Sequence, residues 1–305
     1  MKRRGLYNFK RKPTSEKVTL IIFFIFFLVM ALVFLYPIYS SILLSFTGKS
    51  NIKRDEVNSI FDFFVISGDP QVETWSHIVE YFSIVTSNGS EANLLTMLWN
   101  SIWFTALKVL CSLAASTALA YAVAKFNFPG KKLIYVVAVF VQTIPLFGSG
   151  ATSYRLFDAL GMVNNPYLFW IAWCSGFDFT FIIMHGVFSS INDSYAESAR
   201  IDGANNLTIL FRIILPMVAP TLIALIVTNS LTVWNDYSTI MIYLKDYPTL
   251  GYGLYEFQNG AASYVSNPVA VRSAAMIVSM VPIALIYGCS QKLVLSNITV
   301  GGLKG

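Results

Sequence analysis

From Val18 to Leu35 the chain runs with Thr19 as its single polar side chain. A helix needs about 20 predominantly apolar residues to cross the hydrocarbon of a bilayer. In lipid every backbone N–H and C=O must find its partner within the structure, so such a run is read as a helix. The apolar character continues through Tyr36, Pro37, Ile38 and Tyr39 into 42–46. That is longer than the core of about 7–15 residues of a signal peptide, and no small-residue cleavage pattern follows it. An uncleaved first span is expected.

Length alone would accommodate two soluble domains, but 55% of the 305 residues are hydrophobic and only 12% are charged. A soluble domain carries roughly 25% charged residues, so this chain must use lipid as part of its solvent. The fold class expected is an all-α membrane protein with six spans, near 18–46, 94–124, 131–157, 166–190, 214–237 and 271–294. Pro282 interrupts the last and predicts a kink rather than a break. The chain divides into a basic tail, 1–17, and one membrane domain, 18–305, with an outer loop at 47–93 and a cytoplasmic loop at 191–216.

The net charge of +5 does not point to nucleic acid, because the basic residues follow the membrane. Lys2, Arg3, Arg4, Lys10, Arg11, Lys12 and Lys17 precede the first span, and Lys125, Lys131 and Lys132 fall in the second short loop. The segment between them holds Asp55, Glu56, Asp62, Asp69, Glu73, Glu80 and Glu91 against Lys49, Lys53 and Arg54. Basic loops stay cytoplasmic, which predicts a plasma-membrane protein with both termini inside. Trp75 to Phe82 mixes apolar and polar residues and is expected along the outer interface. Cys111, Cys174 and Cys289 fall in apolar stretches and read as small buried residues, not a disulfide or metal framework. His77 and His185 belong to no metal pattern and read as structural. No Gly-x-x-x-x-Gly-Lys-Ser/Thr phosphate loop occurs, so ATP and Mg²⁺, if used, bind a partner polypeptide and no cofactor is expected here. No nucleophile arrangement stands out, and enzymatic chemistry is not expected.

The loop joining the fourth and fifth spans reads Asn192-Asp193-Ser194-Tyr195-Ala196-Glu197-Ser198-Ala199-Arg200-Ile201-Asp202-Gly203-Ala204 and leads to Ile213-Ile214-Leu215-Pro216. It predicts a short amphipathic helix capped by Asp193 or Ser194, with Glu197 completing a capping box and Gly203 ending it. By itself this is also what a connecting helix at the lipid surface looks like. The spacing Glu197-Ser198-Ala199, three residues, Gly203, nine residues, Ile213-x-Leu215-Pro216 resembles the EAA loop of ABC importer permeases, with Ser198 in place of the middle Ala. Ala120-Tyr121-Ala122, Phe128-Pro129-Gly130, Ile144-Pro145, Trp234-Asn235-Asp236 and the ending Gly301-Gly302-Leu303-Lys304-Gly305 extend the resemblance to the maltose-transporter-like sugar permeases. The loop at 50–90 is the least family-like part.

The resemblance implies the type I ABC importer architecture, with a coupling helix seated in a cleft of a separate ATPase. Glu197 and Arg200 would make polar contacts there, Ser198 and Asp202 would belong to the same segment, and Ala199 and Gly203 would permit close approach. Gly302, Lys304 and Gly305 would reach between ATPase subunits; a frayed terminus is the other reading. The partners implied are a second, related permease subunit in a heterodimer, two copies of the ATPase, an external solute-binding protein and an oligosaccharide or related sugar. An ion-gradient-driven secondary transporter is the alternative, and a membrane enzyme or sensor a more distant one.

Lys108 and Asp178 fall midway along the second and fourth spans. A charge there costs at least about 2.5–3.5 kcal/mol, so the two are expected to pair or share a wet cavity unless Lys108 snorkels. A path for sugars needs amides and aromatic faces, and Gln142, Asp178, Asn229, Trp234 and Asn235 are the candidates, with Tyr237 beside them. Polar residues in spanning helices also serve simply to join helices. Trp234-Asn235-Asp236 reads better as shaping the end of the fifth span than as binding sugar.

Overall fold

The computed structural model describes residues 13–47, 72–144, 150–259 and 268–301. They fall into two compact units, one of residues up to 78 with 265–277, the other of 79–264 with 278–305. Residues 1–12 of the expected basic tail, most of the outer loop, Pro145, and Gly302, Lys304 and Gly305 lie outside the described residues.

In the first unit, helix α1 covers Thr14–Ser45. It passes through Pro37, which has no N–H to give to the preceding turn. Ser40 and Ser41 then donate back to the Pro37 carbonyl at 3.0 and 2.8 Å. The apolar side chains of its lipid-length stretch stay outside, Phe34 at 75% exposure among them, as lipid-facing side chains do. A short helix, α2 (Glu73–Ser76), brings Trp75 to the end of α1, where its Nε1 donates to Ser45 Oγ at 3.3 Å and its ring lies 5.7 Å from Phe46. One more turn, α3 (Ile78–Tyr81), follows.

The second unit is built on one helix. Strands β1 (Ser83–Val85) and β2 (Glu91–Asn93) form an antiparallel pair, and Asn93 then caps α4 (Leu94–Lys125) by accepting from Thr96 N at 3.0 Å. The chain continues through α5 (Lys131–Thr143), α6 (Gly150–Ala159), α7 (Pro166–Trp173), α8 (Phe179–Ser190) and α9 (Ser194–Ile201). Then come α10 (Asn206–Ile209), a π-helical turn (Leu210–Ile214), α11 (Leu215–Trp234), α12 (Tyr237–Tyr243), α13 (Leu250–Asn259) and α14 (Pro268–Gly301), whose residues up to 277 belong to the first unit. Helices α8, α11, α13 and α7 all pack on α4. The core at its cytoplasm-predicted end joins Ala120 and Tyr121 of α4 to Phe188 of α8, Ala199 of α9 and Ile209 and Ile214.

Among the described residues four helices are long and apolar enough to span a membrane: Thr14–Ser45, Leu94–Lys125, Asn206–Trp234 and Val269–Cys289. The third and fourth expected spans are divided. Helix α5 stops where Ile144 turns to an extended ψ of 118°, the conformation that a following proline imposes on its neighbour. The fourth is split by residues 174–178, where Gly176 holds φ at +70° and Asp178 starts a new helix. A side chain at Gly176 would also press on Leu119 and the Ala115 carbonyl of α4. The fifth begins earlier than expected, because the π turn widens the helix just before Pro216, whose ring would crowd the carbonyl of residue 212 in a regular α-helix. The sixth runs on through Pro282. Cys174 and Cys289 are exposed rather than buried, on an outside that lipid or a partner can solvate, and all three thiols are free.

Candidate functional site

Two groups of residues stand out, one at the loop before α9 and one along the middle of α4.

Helix α9 is held at both ends by backbone geometry rather than by the expected capping box. Asp193 occupies the N-cap in a helical conformation and makes no side-chain cap bond. Its own carbonyl accepts from Ala196 and Glu197, and the Asn192 carboxamide takes Ser194 N at 3.0 Å. The Asp193 carboxylate turns instead to Lys125 Nζ at 2.6 Å, and the same ammonium donates to the Ile191 carbonyl at 2.6 Å. That hydrogen bond first, and the charge of Lys125 second, hold the Asp193 carboxyl below the usual carboxylate range. At the other end Ala204 N reaches the Ala199 carbonyl at 2.9 Å and Gly203 N the Arg200 carbonyl at 3.0 Å. These are the two bonds of a Schellman motif, and they place Gly203 at φ +83°, where only glycine is unstrained.

The periodicity of α9 divides its residues by face. Ala199 turns inward to the chain's own core at 8% exposure, where its small size serves packing within this chain. Glu197, Ser198, Arg200, Asp202 and Gly203 are all exposed, and Ile201 is 87% exposed. A Cβ on Gly203 would meet nothing within 4 Å, so its requirement is conformational and not steric within this chain. A cleft of about 110 Å³ opens beside the helix, lined by Tyr121, Lys125, Asp193, Ala196, Glu197 and Arg200 among others.

In the middle of α4 the expected pairing of Lys108 with Asp178 is not found. Lys108 Nζ meets Asp236 Oδ2 at 2.6 Å, with 22% and 18% of the two side chains exposed. It also lies 5.5 Å above the Phe104 ring. Asp236 is at the same time the N-cap of α12, accepting from Thr239 N at 3.1 Å and Thr239 Oγ1 at 2.6 Å. Asp178 caps α8: it accepts from Phe181 N at 3.1 Å, and from the hydroxyls of Ser112 at 2.5 Å and Ser116 at 2.7 Å. The break in the fourth span explains the error, since it turns Asp178 from a mid-helix residue into a helix-starting one. The signal for Asp236 was in the chain, where it is the sole acid between Asp202 and Asp246. That for the serines was their i, i+4 spacing on one face of α4.

The other path candidates are distributed. Gln142 Nε2 donates to the Phe177 carbonyl at 2.8 Å across the break, and Asn229 Nδ2 to Thr180 Oγ1 at 3.2 Å. Trp234 is buried, with Nε1 on the Ser279 carbonyl at 3.1 Å, whereas Asn235 is exposed and bonds its own helix at Leu231. Asp178, Gln142 and Asn229 therefore gather around the start of α8; Trp234 and Asn235 stand at the end of α11. Tyr237 stacks on Tyr255 at 4.8 Å. His185 packs between Tyr135 and Phe181.

The family model of the binding-protein-dependent transport system inner membrane component matches residues 112–300. The galactooligosaccharides transport system permease protein GanQ of Bacillus subtilis is 31% identical over 285 residues, covering 90% of this chain and 92% of that protein. The arabinooligosaccharides transport system permease protein AraQ of Halalkalibacterium halodurans is 26% identical over 294 residues, or 92% and 94% of the two chains. The maltose/maltodextrin transport system permease protein MalG of Salmonella typhimurium is 26% identical over 308 residues, or 96% and 99%. Among solved structures, a chain of a bacterial ABC transporter involved in the import of the acidic polysaccharide alginate superposes with a TM-score of 0.73 at 23% identity. The match covers 92% of this chain and 98% of that one, and establishes the fold.

Proposed function

Because this chain belongs to the family of binding-protein-dependent transport system inner membrane components, we propose that residues 191–216 dock it to an ATPase and transmit that partner's motion. The chain is a membrane permease of an ABC importer for oligosaccharides, a transporter component and not an enzyme, with ATP hydrolysis in a separate subunit. It is a multi-pass protein of the plasma membrane, and its helical fold is that of a type I ABC importer permease. An ATPase and a solute-binding protein are its partners by family.

In the finer reading, the divided helix pairs α5–α6 and α7–α8 each make one crossing, bringing the count to six. Both termini and α9 are cytoplasmic. A second permease, two ATPase copies carrying ATP and Mg²⁺, and the external binding protein complete the assembly. The contact of Lys125 with Asp193 supports this sidedness, since it unites the basic loop that carries Lys131 and Lys132 with the α9 segment on one face.

The observation that carries the docking role is the outer face of α9. A helix anchored inward by Ala199 and closed by Gly203 presents Glu197, Arg200, Asp202 and a nearly naked Ile201 to a partner. An isolated exposed isoleucine is unremarkable, but one flanked by both charges on a membrane-proximal helix has the composition of a protein contact. ATP-driven closure would move α9 as a rigid lever between two packed states. Of the path candidates, Gln142 and Asn235 keep exposed surface and are the ones we assign to sugar, while Asp178, Asn229 and Trp234 hold helices together. Asp236 takes up the charge of Lys108, which favours a neutral, hydroxyl-rich cargo.

Glu197→Lys and Gly203→Val are expected to insert normally, lose sugar uptake and retain less ATPase on purification. Normal uptake by both at normal expression, or labelling of Ser198→Cys from outside the cell, would overturn the docking role.

A further inference from the structure

Lys125 is the last residue of α4, at the negative end of that helix, where a cation is favoured. The side chain leaves its own helix and reaches the two residues that bracket the start of the α9 segment, the Ile191 carbonyl that ends α8 and the Asp193 carboxylate that begins α9, both at 2.6 Å. Only 11% of the Lys125 side chain is exposed, against 72% for Asp193. A largely desolvated ammonium must keep its partners, because a buried charge left unpaired is strongly unfavourable. Asp193 meanwhile forgoes the N-cap bond its position offers, so the carboxylate is committed to α4 and not to its own helix. This link between α4 and the entry to α9 is charged, short and directional.

We infer that Lys125 is the positioning residue through which displacement of the α9 segment is passed to α4, the helix on which α8, α11, α13 and α7 pack. The inference rests on the reading of 191–216 as the ATPase-docking segment. A side chain that only stabilised the fold would alter yield and melting; a strut alters how hydrolysis responds to the loaded binding protein.

The test uses the assembled importer in lipid with its sugar-loaded binding protein. Lys125→Met is expected to retain the ATPase on purification while stimulation of hydrolysis falls by at least about tenfold, which corresponds to ~1.4 kcal/mol, near the low end for a lost hydrogen bond to a charged group. Lys125→Arg is expected to restore it, because a guanidinium can reach both acceptors. Asp193→Asn, at an exposed position, should lower stimulation by a smaller factor, since the Ile191 contact survives. Full stimulation in Lys125→Met, in an importer that Glu197→Lys still uncouples, would remove the strut and leave the docking role standing. If Lys125→Met does not assemble, unchanged stimulation in Asp193→Asn overturns the inference. Loss of ATPase attachment in Glu197→Lys bears only on docking.

Discussion

Lys108 of α4 and Asp236, in the turn after α11, form an ion pair at 2.6 Å in which the aspartate is also the cap of α12. One carboxylate thus neutralises a largely buried ammonium and starts a helix. Lys108→Met should destabilise the permease by about 2–3 kcal/mol, somewhat below the cost of breaking a fully buried pair. The exchange Lys108→Asp with Asp236→Lys should recover part of that, whereas Lys108→Asp with Asp178→Lys should recover none. Thermal unfolding in detergent, followed by size-exclusion fluorescence, separates these outcomes.

Asp178 accepts from a backbone N–H and from two serines of α4, so it starts α8 and fastens it in one step. Asp178→Ala should cost about 1–2 kcal/mol from the cap alone. Ser112→Ala with Ser116→Ala should cost less, because the cap bond remains. Asp178→Asn, which keeps an acceptor oxygen, is expected to fall between the native protein and the alanine variant in the same melting assay.

Gly253 on α13 lies so close to Met97 of α4 that a Cβ would overlap its sulfur, with the Phe82 ring 3.3 Å away. All three are buried. A methionine can shift, so Gly253→Ala should cost about 1 kcal/mol and Gly253→Leu 3 kcal/mol or more, toward and beyond the upper end of overpacking costs. Met97→Ala is expected to rescue Gly253→Ala in part, by making room. Nearly equal melting of the Ala and Leu variants would show that α13 yields freely at this contact.

The Asp193 carboxyl is held low by Lys125 and is lower folded than unfolded. A depressed carboxyl contributes stability that is present above its ordinary value, near pH 4, and is lost only as pH falls through the lower folded value. The difference in melting between the native protein and Asp193→Asn should therefore stay constant from about pH 8 to 5 and shrink below about pH 4. A difference that changed between pH 6 and 8 would contradict the assigned pair.

Much of this was legible beforehand because it is local. The apolar runs at 18–46 and 94–124, the glycine that ends α9 and the Glu197-to-Pro216 spacing each follow from neighbouring residues alone. Pairing was not legible in the same way. Lys108 is compatible in charge with Asp178 and with Asp236 alike, and a count of residues along assumed continuous spans put Lys108 and Asp178 at one depth.

The amino-acid order by itself determined that the chain enters lipid as helices, since backbone groups there have no other partner, and that its conversion of ATP energy lies elsewhere. It also determined that α9 stops at Gly203, through a backbone conformation only glycine allows without strain, whereas the breaks at Ile144 and Gly176 inside the expected third and fourth spans came from the structure. Only the tertiary structure decided which way each polar group faces. Rotation of α9 sends Ala199 inward and Arg200 outward, and the break before α8 delivers Asp178 to two serines and frees Lys108 for Asp236. The reason is physical: a hydrogen bond or ion pair depends on a few tenths of an ångström between residues 62 to 128 positions apart, and that proximity is set by the packing of the whole core.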